Sequence, residues 1–293
     1  MSEKVCAVIV TYNRKDLLRE CLNAVLSQTR PPDHVLVVDN ASTDGTPEML
    51  KAEFPQVEVL RLPENQGSSG GFHEGMKRVY EAGYDWIWLM DDDGYPLLDT
   101  LEKLLAFPSE EILFRGCVVV AKENPSLLAF DYPSGGPKPI NSVAELNRLY
   151  GVQGFVEGFV NPYNGVLINR RVVQAIGLPK KEFFIWGDEV EYFWRAKKKG
   201  IPVATVLQAI FVHPKDRMQK KYVTLFGKTV VLQYVEDPAR FALLIRNQSY
   251  IYTRYISVLK WVVRTILYVL AFRDQAWKLA LFSLQGALGR IGG

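Results

Sequence analysis

Three adjacent carboxylates, Asp91, Asp92 and Asp93, close the apolar run Trp86–Met90. Packed side by side in a low-dielectric cleft they repel one another, so a compensating charge is needed. A divalent cation supplies it: Mg²⁺ and Mn²⁺ favour carboxylate oxygens and leave positions open for phosphate. In extended chain, residues i and i+2 point the same way, so Asp91 and Asp93 can share one ion while Asp92 faces elsewhere. An acidic surface turn is the competing reading, and the position at a strand end counts against it. A second acidic group, Asp188, Glu189 and Glu191, follows Trp186-Gly187 at the head of a helical pattern. Acids there either complement the helix dipole or include a general base for an acceptor hydroxyl. His213, in a Val-His-Pro turn, is either structural or a third metal ligand.

These groups need elements to position them. Val5–Val10 reads as a buried parallel strand, Lys15–Gln28 as a helix stopped by Pro31 and Pro32, and His34–Asp39 as a strand. Thr46–Glu53 reads as a helix and Val57–Leu62 as a strand. The glycine-rich stretch Asn65–Gly71 reads as a loop before a helix through Tyr84, and Trp86–Met90 as a fourth strand. Strands alternating with helices predict right-handed crossovers and an open, mainly parallel α/β sheet. Ligands of such sheets bind beyond the carboxyl ends of the strands. The polar turns Thr11–Arg14, Asp39–Asp44 and Asp91–Asp93 all fall there. Asp39 with Thr11 can meet a base or ribose, although Asp39-Asn40-Ala41-Ser42 also reads as a simple turn into a helix. Gln66–Phe72 looks like a phosphate cradle, but it lacks the Walker Lys-Ser/Thr and the GxGxxG spacing.

Residues 122–150, with Pro125, Pro133, Pro137, Pro139, Gly135 and Gly136, read as a long loop or mobile lid. Strand material follows in Phe155–Leu167. Helices are expected at Arg170–Ile176 and Val190–Lys199, the latter closed by Gly200, and a strand at Val203–Val212. From Pro238 the pattern is helical, which divides the chain into residues 1–237 and 238–293.

Hydrophobic residues at 48% and charged residues at 23% describe a globular chain with enough length for a large core. The net charge of +3 is uneven: Ile251–Gly293 carries six basic residues and one acid. The remainder is slightly acidic and has no basic stripe, which excludes nucleic-acid binding. Three cysteines without a CxxC pair suit a reducing compartment. The opening residues read as strand rather than signal peptide, and no uncharged apolar stretch reaches about 18 residues.

Taken together, Ala7–Arg14, Val37–Thr46, Asn65-Gln66-Gly67, Asp91–Asp93 and Asp188-Glu189-Val190-Glu191 followed by Arg195 resemble the family 2 inverting glycosyltransferases of the GT-A fold, over Val5 to roughly Pro214. Each stretch is weak alone; their order in one chain carries the resemblance. It implies a nucleotide-binding set of Thr11, Asn13, Arg14 and Asp39, extended by Asn65, Gly67 and Asp92. It implies Mn²⁺ or Mg²⁺ on Asp91, Asp93 and His213. It puts the catalytic base at Glu189, six residues before Arg195, where the family usually has Asp; Asp188 is the alternative. Gly70-Gly71-Phe72 and Phe184–Asp188 look most like bacterial galactofuranosyltransferases, with rhamnosyltransferases as near neighbours. Gly70, Gly71, Phe72, Trp186 and Glu191 are thereby implied to contact substrate.

The expected reaction is transfer from a nucleotide-sugar donor to a lipid-linked or saccharide acceptor. A nucleotidyltransferase is disfavoured because no glycine follows the first strand, and a non-catalytic sugar-binding protein because the acidic residues are intact. The basic, apolar C-terminal segment, with Lys260 and Arg264 on one helix face and Trp261 and Trp277, reads as a surface for an anionic membrane, peripheral on the inner face of the cell membrane. A homo-oligomer interface is the alternative.

Overall fold

A computed structural model describes residues 3–134, 138–215, 218–225 and 228–292. The chain runs β1 (Val5–Thr11), α1 (Lys15–Leu26), β2 (His34–Asp39), α2 (Thr46–Glu53), β3 (Glu58–Arg61), α3 (Gly67–Glu81), β4 (Trp86–Asp91), β5 (Tyr95–Pro96) and α4 (Thr100–Leu105). It continues through β6 (Phe114–Ala121), β7 (Leu127–Tyr132), β8 (Ile140–Ser142), α5 (Val143–Tyr150), β9 (Phe155–Glu157), β10 (Asn164–Asn169), α6 (Arg170–Ile176), α7 (Asp188–Lys198) and β11 (Val203–His213). An antiparallel ribbon, β12 (Gln219–Leu225) and β13 (Lys228–Tyr234), precedes α8 (Pro238–Ile251), α9 (Val258–Ala271) and α10 (Ala276–Ala287).

The main sheet has the order β3-β2-β1-β4-β10-β6-β11-β5. The first four of these strands are parallel, as their crossover helices require. β10 inserts antiparallel between β4 and β6, and β11 returns parallel to β6. β1 is buried along its whole length because alternate residues feed two cores. Val5, Ala7 and Ile9 meet Leu18, Leu22 and Val25 of α1 on one face. Cys6, Val8 and Val10 meet Phe72, Met76 and Val79 of α3 on the other. The carboxyl ends of β1, β2 and β4 therefore open on one edge of a three-layer fold.

Two expectations require correction. The Asn65–Gly71 stretch is not a loop: the helix begins at Gly67 and takes in Gly70 and Gly71. The middle of the chain is not a loose excursion either, because β7, β8 and α5 fill it and bury Leu128, Tyr132, Ile140 and Leu146. Gly135, Gly136 and Pro137 lie outside the described residues.

The C-terminal segment is helical as expected, yet α8 is not an appendage. It buries Phe241, Leu244, Ile245, Arg246, Asn247 and Ile251. Phe183, just ahead of α7, packs with Tyr250 and Ile251.

Candidate active site

The end of β4 is a network of charge. Arg14, in the β1–α1 turn, reaches Asp92 Oδ1 at 3.0 Å and Asp93 Oδ2 at 2.9 Å. Thr11 Oγ1 donates to Asp92 Oδ2 at 2.7 Å. Asp92 and Asp93 lie in a turn just past β4 and share one Arg14 nitrogen, so Asp92 is not turned away from Asp93 as an extended chain would have it. His213, at the end of β11, brings Nε2 to 3.2 Å from Asp93 Oδ1, while its Nδ1 lies 2.6 Å from Pro214 O. That carbonyl fixes the ring so that Nε2 faces the acidic cluster. Asp91, half-buried at the end of β4, is held well above the usual carboxylate range by desolvation and then by the charges of Asp93 and Asp92. Burial likewise pushes Asp92 up to about 6, against the opposing pull of Arg14. Bare, the cluster cannot carry all its charge. Among the described residues no three His, Cys, Asp or Glu side chains form a ready metal-ligand cluster; the pair in place is Asp93 with His213.

The rest of the expected nucleotide set is built into the turns around this edge. Asn13 has φ 52° and links two turns: its N–H donates to Ser42 Oγ at 2.9 Å, and its Oδ1 accepts from Thr43 N at 2.7 Å. Asp39 is wholly buried; Oδ1 accepts from Ser42 N at 2.9 Å, and Oδ2 lies 3.8 Å from Arg61 Nη1. Asn65 Oδ1 accepts from Gly67 N at 2.9 Å. Gly67 has φ 70°, and a Cβ there would stand 1.9 Å from Phe184 O, so only glycine fits.

Gly70, Gly71 and Phe72 are buried in the first turns of α3. A Cβ on Gly71 would meet Val10 Cγ1 at 2.4 Å, and one on Gly70 would meet Gln66 Cβ at 2.4 Å. Phe72 is fully buried and lies 4.1 Å, centroid to centroid, from the ring of Tyr163. All three are thus needed for packing at the start of α3, and their contact with substrate stays a proposal. Glu191 is also committed elsewhere: it accepts from Arg195 Nη2 at 2.7 Å and Tyr255 OH at 2.7 Å, and is fully buried. Trp186, half-buried, packs toward the C-terminal core and has φ 57°.

Asp188 and Glu189 differ sharply. Asp188 is buried, and Ser69 and Glu189 are its polar neighbours. Burial, reinforced by the Glu189 charge, holds its acid well above the ordinary range. Glu189 is partly exposed, accepts from Gly187 N at 2.8 Å, and lies close enough to Asp91 to raise it. The first turn of α7 thus faces the β4 cluster. Tyr163, at φ 57° in the turn before β10, is buried beneath both acids and was not legible as a site residue. Its only sequence signal is the polar, turn-forming stretch Asn161-Pro162-Tyr163-Asn164-Gly165.

An acidic cluster at the carboxyl edge of such a sheet, faced by an acid-bearing helix, defines a glycosyltransferase of the GT-A class. The chain belongs to glycosyl transferase family 2, whose model matches residues 6–124. It is 34% identical over 253 residues to the galactofuranosyltransferase GlfT1 of Mycolicibacterium smegmatis, covering 85% of this chain and 83% of that one. It is 24% identical over 249 residues to the dTDP-rhamnosyl transferase RfbF of Shigella flexneri, covering 84% and 79%. The solved structure of GalNAc-T7 with UDP, GalNAc and Mn²⁺ superposes with a TM-score of 0.56 at 15% identity, over 86% of this chain and 51% of that one.

Proposed function

We propose that this glycosyltransferase moves galactofuranose from UDP-galactofuranose to a hydroxyl of a lipid-linked or saccharide acceptor in cell-surface glycan synthesis. The similarity to GlfT1 along most of both chains carries the reading; rhamnose from dTDP-rhamnose is the second donor, on the similarity to RfbF. Asp91, Asp93 and His213 would hold Mn²⁺ or Mg²⁺. Two carboxylates and an imidazole fit such an ion, and the uncompensated charge of the cluster favours one. When bound, the cation neutralises charge on the departing diphosphate. Arg14 and Thr11 orient the acidic cluster, the Asn13 and Asp39 turns form the nucleotide side, and Glu189 takes the acceptor proton. Glu189 is favoured over Asp188 because it reaches solvent and Asp188 does not. A panel of UDP- and dTDP-sugars assayed with Mn²⁺ tests the donor: UDP-galactofuranose is expected to give the highest turnover. Preference for a pyranose donor, or nucleotide exchange without sugar transfer, rejects it.

The proposed site of action is peripheral, on the inner face of the cell membrane. No helix among the described residues is long and apolar enough to cross a bilayer. However, α9 exposes Leu259, Val263, Ile266 and Leu270, and α10 with its C-cap residue exposes Trp277, Leu281, Leu284 and Leu288. Both sets follow i, i+4, i+7, i+11 spacing and form one stripe per helix. Their inner faces pack Leu267, Tyr268 and Leu279 against Phe241, Leu244 and Ile245, with small and polar contacts beside them: Ser283 bonds Ser249, Trp261 and Thr265, and a Cβ on Gly286 would stand 1.9 Å from Arg246 O. Apolar stripes left outward on a packed helix pair suit an interfacial surface, with exposed Lys260, Arg273, Lys278 and Arg290 as anionic-lipid contacts. Two expected contributors turn inward: Trp261 bonds Ser283, and Arg264 lies against Tyr252 and Tyr268. The protein is expected to sediment with anionic vesicles at low salt. It should be released by salt and by serine at Leu259, Ile266, Leu281 and Leu284. Full-length protein left in the supernatant at low salt would assign the stripes to an oligomer interface. Cutting after Gln248 is a poor test, because it strips Tyr250 and Ile251 from Phe183.

A further inference from the structure

The helix that carries the proposed base is preceded by a strained loop in which every carbonyl from 182 to 187 is claimed. Phe184, Trp186 and Gly187 have φ of 65°, 57° and 102°, a region that side-chain-bearing residues rarely adopt. Such backbone persists only where its surroundings over-determine it. Glu182 O accepts from Arg246 Nη2 at 3.0 Å, and Phe183 O from Arg246 Nη2 at 3.3 Å and Asn247 Nδ2 at 3.0 Å. Phe184 O accepts from Ser69 N at 3.2 Å, and Gly187 O from Glu191 N at 2.7 Å. Ile185 O and Trp186 O both accept from Asn247 Nδ2, each at 2.8 Å.

One buried amide on α8 therefore serves three carbonyls with two N–H groups. Its own Oδ1 accepts from Arg246 Nε at 3.0 Å, which sets the end of the amide that faces the loop. The decisive contact is the one to Trp186 O. That carbonyl and the Gly187 N–H belong to one planar peptide unit, and the Gly187 N–H holds Glu189 Oε2 at 2.8 Å. A side chain on α8, far outside the family-matched residues 6–124, thus reaches the carboxylate through a single rigid plane.

We propose that Asn247 is a positioning residue: by fixing the 186–187 peptide plane it orients Glu189 for proton removal. The inference rests on the reading of Glu189 as the base. Loss of the amide frees the plane to rotate and takes the N–H away from the ionised carboxylate. Transfer slows because the base is misaimed, and the loss falls on kcat while donor binding is kept.

The test is a set of variants, Asn247→Ala, Asn247→Ser, Glu189→Gln and the Asn247→Ala/Glu189→Gln double variant. It is read in steady-state transfer from UDP-galactofuranose, or dTDP-rhamnose if that is the donor accepted, with Mn²⁺. UDP affinity by calorimetry controls for an intact donor site. The expected result for Asn247→Ala is a kcat lower by on the order of 10²-fold, as a misplacement of about 1 Å would give, with unchanged UDP affinity. Asn247→Ser, which keeps one short donor, should recover part of the loss; it also stands in if the alanine variant does not fold. The double variant should be no slower than Glu189→Gln alone, because both act through one group. A folded Asn247 variant with native kcat, beside an inactive Glu189→Gln, overturns the inference alone. So does a double variant in which the two losses multiply. Native turnover by Glu189→Gln overturns the reading of the base, and the inference with it.

Discussion

Glu189→Gln is expected to lower transfer by on the order of 10²–10⁴-fold, the range of a lost general base, with UDP affinity unchanged. The amide oxygen of glutamine still accepts from Gly187 N, the bond that Glu189 makes at 2.8 Å. The start of α7 therefore keeps its shape, and only basicity is removed. Asp188→Asn is the comparison. Asp188 is buried, and burial holds its acid well above the usual range, so the neutral amide of the same size should lower the rate little. Steady-state kinetics on the two variants separates the roles. Near-native turnover in Glu189→Gln with loss in Asp188→Asn would give the base to Asp188.

Asp93→Asn, and more severely Asp93→Ala, should reduce transfer to background and abolish its dependence on Mn²⁺. Asp93 is the member of the cluster that faces both His213, at 3.2 Å, and Arg14, at 2.9 Å. Arg14 keeps its contact with Asp92 at 3.0 Å, so the variants should melt as a folded protein does. The cation should also compete with protons. Asp91 is held well above the carboxylate range and Asp92 lies at about 6, so binding an ion must displace protons from the cluster. The Mn²⁺ concentration for half-maximal activity should fall as pH rises from about 5 to about 7.5. A pH-independent requirement, or full activity of Asp93→Asn in excess chelator, would remove the cluster from metal binding.

The sheet was legible where chemistry and periodicity agree. Val5–Val10 and Trp86–Met90 are continuous apolar runs because both faces of β1 and β4 are covered. The polar residues at their ends then marked the site edge. Glycine misled the reading at Gly67–Gly71. Glycine disfavours helix, but here α3 presses against β1 closely enough that Gly71 and Gly75 leave no room for a Cβ beside Val10 and Val8. The prolines of residues 122–150 punctuate short strands and a helix whose burial is tertiary. The ribbon β12–β13 was missed because its lysines and threonines blur the alternation of a half-buried strand. Asn247 and Arg246 carry no local mark at all, since a polar side chain on a helix reveals its task only when the opposing carbonyls are known.

The most direct measurement is the stereochemical course of the reaction. The protein, given UDP-galactofuranose, Mn²⁺ and a saccharide acceptor, should release UDP and form a new glycosidic bond. One-step displacement at the sugar carbon, with Glu189 drawing the proton from the attacking hydroxyl, predicts a product whose anomeric configuration, read by NMR, is inverted relative to the donor. A product of retained configuration, or release of a sugar phosphate with no glycosidic bond, would contradict the account.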